Sequence, residues 1–98
     1  MNIQAMMKQA QKLQKDMLTA KTEIDKTVFE AKSSFVSIKA NGKREILNVK
    51  VDIDSIEKED IEMLEDMIQV AINDVMKQIE KETENKMGKY TQGMPGLF

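Results

Sequence analysis

The chain has 98 residues, a formal net charge of −2, no cysteine and no histidine. This length predicts one domain with a small core, and the missing residue types exclude disulfides, cysteine-based metal sites and histidine-dependent catalysis. The sequence has no apolar run long enough to span a bilayer and no signal-peptide pattern at its start, so we expect a soluble, cytoplasmic protein without a membrane partner.

Charge is unevenly distributed along the sequence. Residues 1–22 contain four lysines and one acidic residue, Asp16, for a net charge of +3. Residues 57–87 contain ten acidic residues and four lysines, for a net charge of −6. The low total charge argues against a generally basic nucleic-acid-binding protein, but it conceals a basic segment at the start of the chain. Simple attraction between two oppositely charged helices also explains this pattern, so the partner stays open at this point.

The first predicted element is a helix over residues 2–26. Apolar residues recur at two positions of a heptad pattern: Ile3, Ala10, Met17 and Ile24, with Met6, Leu13 and Ala20 between them. A helix of this span is about 37 Å long, whereas a compact domain of this size has a radius of gyration of roughly 13 Å. We therefore expect this helix to project from its own domain unless a partner receives it.

Extended segments follow the first helix. Val28 and Phe29 begin a short strand, residues 32–34 suggest a turn, and apolar residues alternate with polar ones from residue 36 to residue 40. The next pair, Asn41-Gly42, predicts a hairpin with a type I′ turn, in which both central residues have positive φ. The return strand is expected to place four apolar residues on one face: Leu47, Val49, Val51 and Ile53. The residues thus predict two or three antiparallel strands with one apolar face.

A second helix is predicted to cover that face. Its apolar surface between Ile61 and Ile79 is wider than one stripe, and a sheet face about 20 Å long cannot cover it all. The surplus suggests a second copy of the chain. The residues expected in the core or the dimer contact are Leu64, Met67, Ile68, Ala71, Ile72 and Val75. Which of these face the sheet and which face the partner stays open.

Any enzyme or metal site in this chain would have to be built from carboxylates. Glu62, Glu65 and Asp66 are close enough on a helix to share a divalent cation. Helical di-iron sites, however, require a Glu-x-x-His motif, and no segment resembles an EF-hand or a P-loop. We interpret these residues as a solvated acidic face, and we expect no catalysis, no metal site and no cofactor.

The lysines of the first helix are candidate phosphate contacts. Lys8 and Lys15 lie opposite its apolar seam, with Lys12 and Lys26 beside them. Lys8, Lys12 and Lys15 form an outward row, and sequence-independent DNA affinity comes mainly from such charges. Ordinary solvation of an amphipathic helix is the competing interpretation, which physical reasoning alone favours. No aromatic residue is interleaved with these lysines, which argues against stacking on single strands. Because Arg44 is the sole arginine, we expect little direct readout of base sequence.

Several segments together resemble one known family over residues 3–97. The first is Met-Met-Lys-Gln-Ala-Gln-Lys-Leu-Gln at residues 6–14, and the second is Val-Ser-Ile-Lys-Ala-Asn-Gly at residues 36–42. The others are the return strand at residues 49–54, the helical segments at residues 62–68 and 71–74, and the ending at residues 86–89 and 93–96. In combination these segments resemble the YbaB/EbfC family of nucleoid-associated DNA-binding proteins.

The resemblance implies an α+β fold with a long N-terminal helix, a three-stranded antiparallel sheet and a long C-terminal helix. It also implies an intertwined homodimer whose helices project like tweezers. We expect one domain at residues 1–90 and a flexible tail at residues 91–98, because the glycines and the proline of residues 93–96 break a helix. The first inter-strand turn departs from the pattern, because residues 31–34 lack the family's usual glycines.

The implied function is binding of double-stranded DNA, in nucleoid organisation or gene regulation. We expect the contacts to be mainly to the DNA backbone. The family's DNA contacts carry over by position to six lysines: Lys8, Lys12, Lys15, Lys81, Lys86 and Lys89. The implied location is the nucleoid. The alternative hypothesis is a protein–protein interaction module that acts with DNA repair, recombination or replication proteins.

Overall fold

The computed structural model describes residues 2–91, which form a helix, three strands and a second helix. The elements are α1 (Ile3–Lys26), β1 (Val28–Ser33), β2 (Val36–Asn41), β3 (Ile46–Val51), a short 3-10 helix (Lys58–Asp60) and α2 (Ile61–Thr91). The predicted α+β class and order of elements are confirmed. Residue 91 of the expected tail belongs to α2, and residues 92–98 lie outside the described residues.

The three strands form one antiparallel sheet in the order β1-β2-β3. The turn between β1 and β2 consists of Ser34 and Phe35, since Ser33 already pairs with Val36. The prediction of a turn at residues 32–34 is therefore wrong in position, because the observed turn lies later in the chain, at residues 34–35. Ser34 has a φ of 54°, and two-residue hairpin loops require a positive φ that matches the twist of the strands. The missing glycines do not prevent this turn, because a serine adopts the left-handed conformation here.

The hairpin predicted at Asn41-Gly42 is present, but the expected type I′ turn is wrong. Asn41 and Glu45 close a three-residue loop, in which the Arg44 N–H donates to the Asn41 carbonyl over 2.9 Å. Arg44 has a φ of 67°, whereas the φ of Gly42 lies outside the left-handed region. Glycine is needed at position 42 for another reason, because a Cβ there would overlap the backbone carbonyl of Ile24. The hairpin turn thus packs directly on the end of α1.

A bulge in β3 changes which of its residues share a face. Asn48 pairs with Lys39 and Ile46 pairs with Ala40, so Leu47 is an extra residue between them. Leu47 lines a groove with Val28, on the sheet face that points away from α2. The expectation that Leu47 shares a face with the valines of β3 is therefore wrong. Ile53 follows the end of the strand.

The main core lies between α2 and the first two strands. Three α2 residues and three β2 residues are fully buried there: Ala71, Val75, Ile79, Val36, Ile38 and Ala40. Within residues 2–91, α2 packs across β1 and β2 and does not reach β3. Val49 and Val51 pair with buried Ile38 and Val36, yet they remain 47% and 37% exposed. One strand of the apolar sheet face is therefore uncovered.

A second, smaller core joins the two helices. Ile24 near the end of α1 packs with Met87 and Tyr90 near the end of α2, and all three are buried. This contact makes the helices antiparallel neighbours over their final turns. Residues 2–16 of α1 are exposed throughout, and the first part of α1 extends beyond α2. The resulting shape measures 72 × 21 × 14 Å, with a radius of gyration of 19.5 Å against roughly 13 Å for a compact domain. The expected projection of α1 is confirmed.

Candidate nucleic-acid interface

The projecting part of α1 carries a row of three exposed lysines. Asn2 caps the start of α1, and its side-chain oxygen accepts a hydrogen bond from the Ala5 N–H over 3.2 Å. Spacings of four and three residues then place Lys8, Lys12 and Lys15 on one face, opposite the apolar seam. The row spans about 10 Å along the helix axis. Within residues 2–91 none of these lysines has an ion-pair partner, so their charges are available to a ligand.

The C-terminal lysines are arranged differently. Lys86 lies 3.8 Å from the Glu82 carboxylate, and the Lys89 ammonium lies 5.0 Å from the centre of the Tyr90 ring. Both lysines line a groove that also contains Asp16, while Lys81 is exposed on α2. Nearby acidic groups offset the charge of Lys86 and Lys89. They lie beside the middle of α1 and do not extend the row at its tip.

The predicted core and dimer residues of α2 fall into two groups. Ala71 and Val75 are fully buried against the sheet. The remaining four pack against the same core and are partly buried: Leu64, Met67, Ile68 and Ile72. Other apolar side chains of the first half of α2 face solvent, among them Met63 at 44% and Val70 at 56% exposure. The structure therefore assigns the sheet contact mainly to the middle of α2 and leaves its first half with an uncovered apolar surface.

The acidic residues lie at the opposite end of the molecule from the lysine row. Glu62, Glu65 and Asp66 are exposed in the first turns of α2, which extend away from the contact between the helix ends. Among residues 2–91, no group of acidic side chains is arranged to hold a metal ion. In the same residues, neither helix combines the length and apolarity needed to cross a membrane. The charges are thus separated along the long axis of the molecule.

The contact between Ile24, Met87 and Tyr90 was missed by sequence reasoning, although it positions the lysine-bearing helix. Its signal was present as a series of residues on one face of α2, spaced by three or four residues and apolar except for Thr83, which continues through the polar segment at residues 80–86. The members of this series are Ile72, Met76, Ile79, Thr83, Met87 and Tyr90. The polar side chains of the intervening segment occupy the other faces of the same helix.

Comparison with known proteins defines the class of the protein. Residues 1–94 match the model of the YbaB/EbfC DNA-binding family. A nucleoid-associated protein of Lactococcus lactis subsp. cremoris (strain MG1363) is 47% identical over 97 residues, covering 97% of this chain and 98% of that protein. A nucleoid-associated protein of Ligilactobacillus salivarius (strain UCC118) is 41% identical, covering 99% of this chain and 95% of that protein.

The matches place the protein in a DNA-binding class and not in an enzyme family. The chain belongs to the YbaB/EbfC DNA-binding family, and the resemblance drawn from its segments is confirmed. In this family context, the exposed lysine row on α1 is the strongest candidate for the nucleic-acid contact.

Proposed function

We propose that the protein binds double-stranded DNA as a homodimer, mainly through the sugar-phosphate backbone, and that it organises the nucleoid or regulates gene expression there. The observation that carries the proposal is the row of unpaired lysines on the projecting part of α1, in a chain of a DNA-binding family. The nucleoid role also draws on the names of the relatives, which are nucleoid-associated proteins.

The chemistry of the row favours phosphates over bases. A lysine ammonium acts as a point charge without the bidentate geometry that reads a guanine edge. The row spans about 10 Å, a length over which one DNA strand presents about three phosphates at 3.4 Å each along the duplex axis. Lys81, Lys86 and Lys89 form a secondary set in this proposal, because two of them lie close to acidic or aromatic side chains.

The uncovered apolar surface supports the homodimer. Strand β3 is an edge strand whose residues are all exposed, and the unsatisfied backbone groups of such an edge favour pairing. Val49 and Val51 on this strand continue the apolar face that α2 covers elsewhere, and Met63 and Val70 expose further apolar area. A second copy related by a two-fold axis would cover both surfaces with the same patch.

A dimer also strengthens the DNA contact. Each protomer supplies one lysine row, so a symmetric pair presents two rows to one duplex. The acidic first half of α2 is repelled by phosphates, whereas the tip of α1 is attracted, which favours approach of DNA to the α1 helices. Together the two effects allow a chain with an acidic total charge to bind a polyanion.

The test replaces the three lysines of the row with glutamine. It compares the loss of duplex affinity with the loss caused by replacing three lysines elsewhere. We expect Lys8→Gln/Lys12→Gln/Lys15→Gln to lower duplex affinity by about 100-fold or more at low salt, since each phosphate that a lysine neutralises contributes to affinity by releasing counterions. The matched control replaces three other exposed lysines, on β1, the 3-10 helix and α2: Lys32→Gln/Lys58→Gln/Lys77→Gln. Fluorescence anisotropy with a labelled duplex measures both variants against the unaltered protein.

An equal decrease of affinity in both variants would contradict the assignment of the row, because total charge alone would then explain binding. Failure of the unaltered protein to bind duplex at low salt would contradict DNA binding itself. That result would favour the alternative, in which the exposed apolar surfaces contact a repair, recombination or replication protein.

A further inference from the structure

The sole arginine of the chain occupies a backbone position that suits glycine. Arg44 is the last residue of the loop between β2 and β3, with a φ of 67°. In three-residue hairpin loops of this kind, glycine takes that position without steric cost, whereas a long side chain is disfavoured. A residue held in an unfavourable conformation is a reason to look for a function of its side chain.

The loop that presents Arg44 is held in place from two directions. The Asn41 side-chain oxygen accepts hydrogen bonds from the Lys43 N–H over 3.0 Å and the Glu45 N–H over 3.1 Å. The Asn41 amide also donates to the Glu45 carboxylate over 2.8 Å. Gly42 packs against the carbonyl of Ile24, so the loop is fixed to the end of α1. The orientation of the loop relative to this helix is therefore defined.

The loop adds to the lysine row of α1. Lys26 follows Lys8 by 18 residues, or five helical turns, so it lies on the same face of the helix as the row. Lys43 lines one groove with Lys26. It lines a second groove, of about 350 Å³, with Arg44 and Lys21. Lysine or arginine side chains are therefore present both at the tip of α1 and at its base.

Two acidic residues, Asp25 and Glu45, lie in the grooves that these cations line, and a third, Glu23, lines a different groove with Lys86 and Lys89. Asp25 is paired with Lys21 over 3.3 Å, and Glu45 accepts the hydrogen bond from Asn41. Among residues 2–91, neither Lys26, Lys43 nor Arg44 has an ion-pair partner. The base of α1 thus carries three cationic groups without an ion pair, against one such carboxylate, Glu45, in the same grooves.

We propose that Arg44, Lys43 and Lys26 form a second phosphate-binding site at the base of α1, with DNA backbone as its ligand. The guanidinium of Arg44 donates in pairs to phosphate oxygens, a geometry that lysine lacks. Lys8 and Lys26 are about 27 Å apart along the helix, the length of about eight base pairs. The helix therefore contacts the duplex at both of its ends. This inference rests on the proposed DNA binding.

The test uses Arg44→Gly, which removes the side chain and places glycine, the residue that best tolerates a positive φ, at this position. We expect the thermal midpoint to stay level or rise, while the slope of log affinity against log salt becomes shallower by about 0.9 for each phosphate that is no longer neutralised. One such phosphate corresponds to about a 3.5-fold change in affinity between about 50 and 200 mM salt. Arg44→Lys should restore part of the slope, and Lys58→Gln, at the acidic end, serves as the control.

An unchanged slope in Arg44→Gly would overturn the second site, and so would a slope change equal to that of the control. A lower thermal midpoint together with lower affinity would also overturn it, because a structural role would then explain the weaker binding. The proposed function fails separately. If the unaltered protein does not bind duplex, both proposals are wrong. If replacing the three lysines of the row weakens binding but Arg44→Gly leaves the salt dependence unchanged, only the second site is wrong.

Discussion

Replacing Gly42 with alanine should destabilise the protein by about 3 kcal/mol, the upper part of the usual range for overpacking. The added Cβ would overlap the backbone carbonyl of Ile24, and a backbone group cannot move aside as a flexible side chain can. The hairpin turn and the end of α1 would have to separate, which would also disturb the buried contact of Ile24 with Met87. Urea denaturation followed by circular dichroism measures the change in the free energy of unfolding.

The same substitution at Gly88 is the matched control. Gly88 lies within α2, and among residues 2–91 an added Cβ would meet no side chain and no backbone of another element within 4 Å. Gly88→Ala should therefore stabilise the protein by about 1 kcal/mol, because alanine favours the helix and glycine disfavours it. Effects of the same sign and size at the two glycines would contradict the close packing of the turn on α1.

The second large effect is expected at the dimer contact. Val49→Asp places a charge on the exposed apolar strand that we propose to be buried by a second copy. An uncompensated charge in such an interface costs about 3–5 kcal/mol, and each dimer carries two. We expect sedimentation at micromolar concentration to show a dimer for the unaltered protein and a monomer for the variant.

Val28→Asp controls for the introduction of charge into the sheet. Val28 is 57% exposed on the opposite sheet face, so its replacement should leave the association state unchanged. Circular dichroism would show whether Val49→Asp retains its fold, as its 47% exposure in the single chain predicts. A dimeric Val49→Asp protein, or an unaltered protein that sediments as a monomer, would contradict the proposed interface. A monomeric, folded Val49→Asp should also show about half the salt dependence of DNA binding.

Local patterns predicted most of the secondary structure. The heptad spacing of α1 predicted residues 2–26, and the helix covers Ile3–Lys26. The alternation from Val36 to Ala40 predicted a buried strand face, and those apolar residues are buried. Both predictions succeed because periodicity reflects which side chains point the same way, a property that the local backbone determines.

The features that sequence reasoning missed depend on contacts between distant segments. The requirement for Gly42 comes from Ile24, which is distant in sequence and touches the turn only in the folded chain. The bulge at Leu47 shifts a side chain to the other sheet face, and no alternation pattern contains that shift. The sequence indicated a role for Arg44 only in base recognition, because its left-handed backbone and its position at the base of α1 emerge only from the fold.

The salt dependence of duplex binding by the unaltered protein tests the central proposal most directly. Two labelled duplexes of unrelated sequence are titrated at several salt concentrations. Two lysine rows in a dimer predict a linear plot of log affinity against log salt with a slope of about −5 or steeper, and nearly equal affinity for both duplexes. A flat plot, or strong preference for one duplex at every salt concentration, would contradict binding through the DNA backbone.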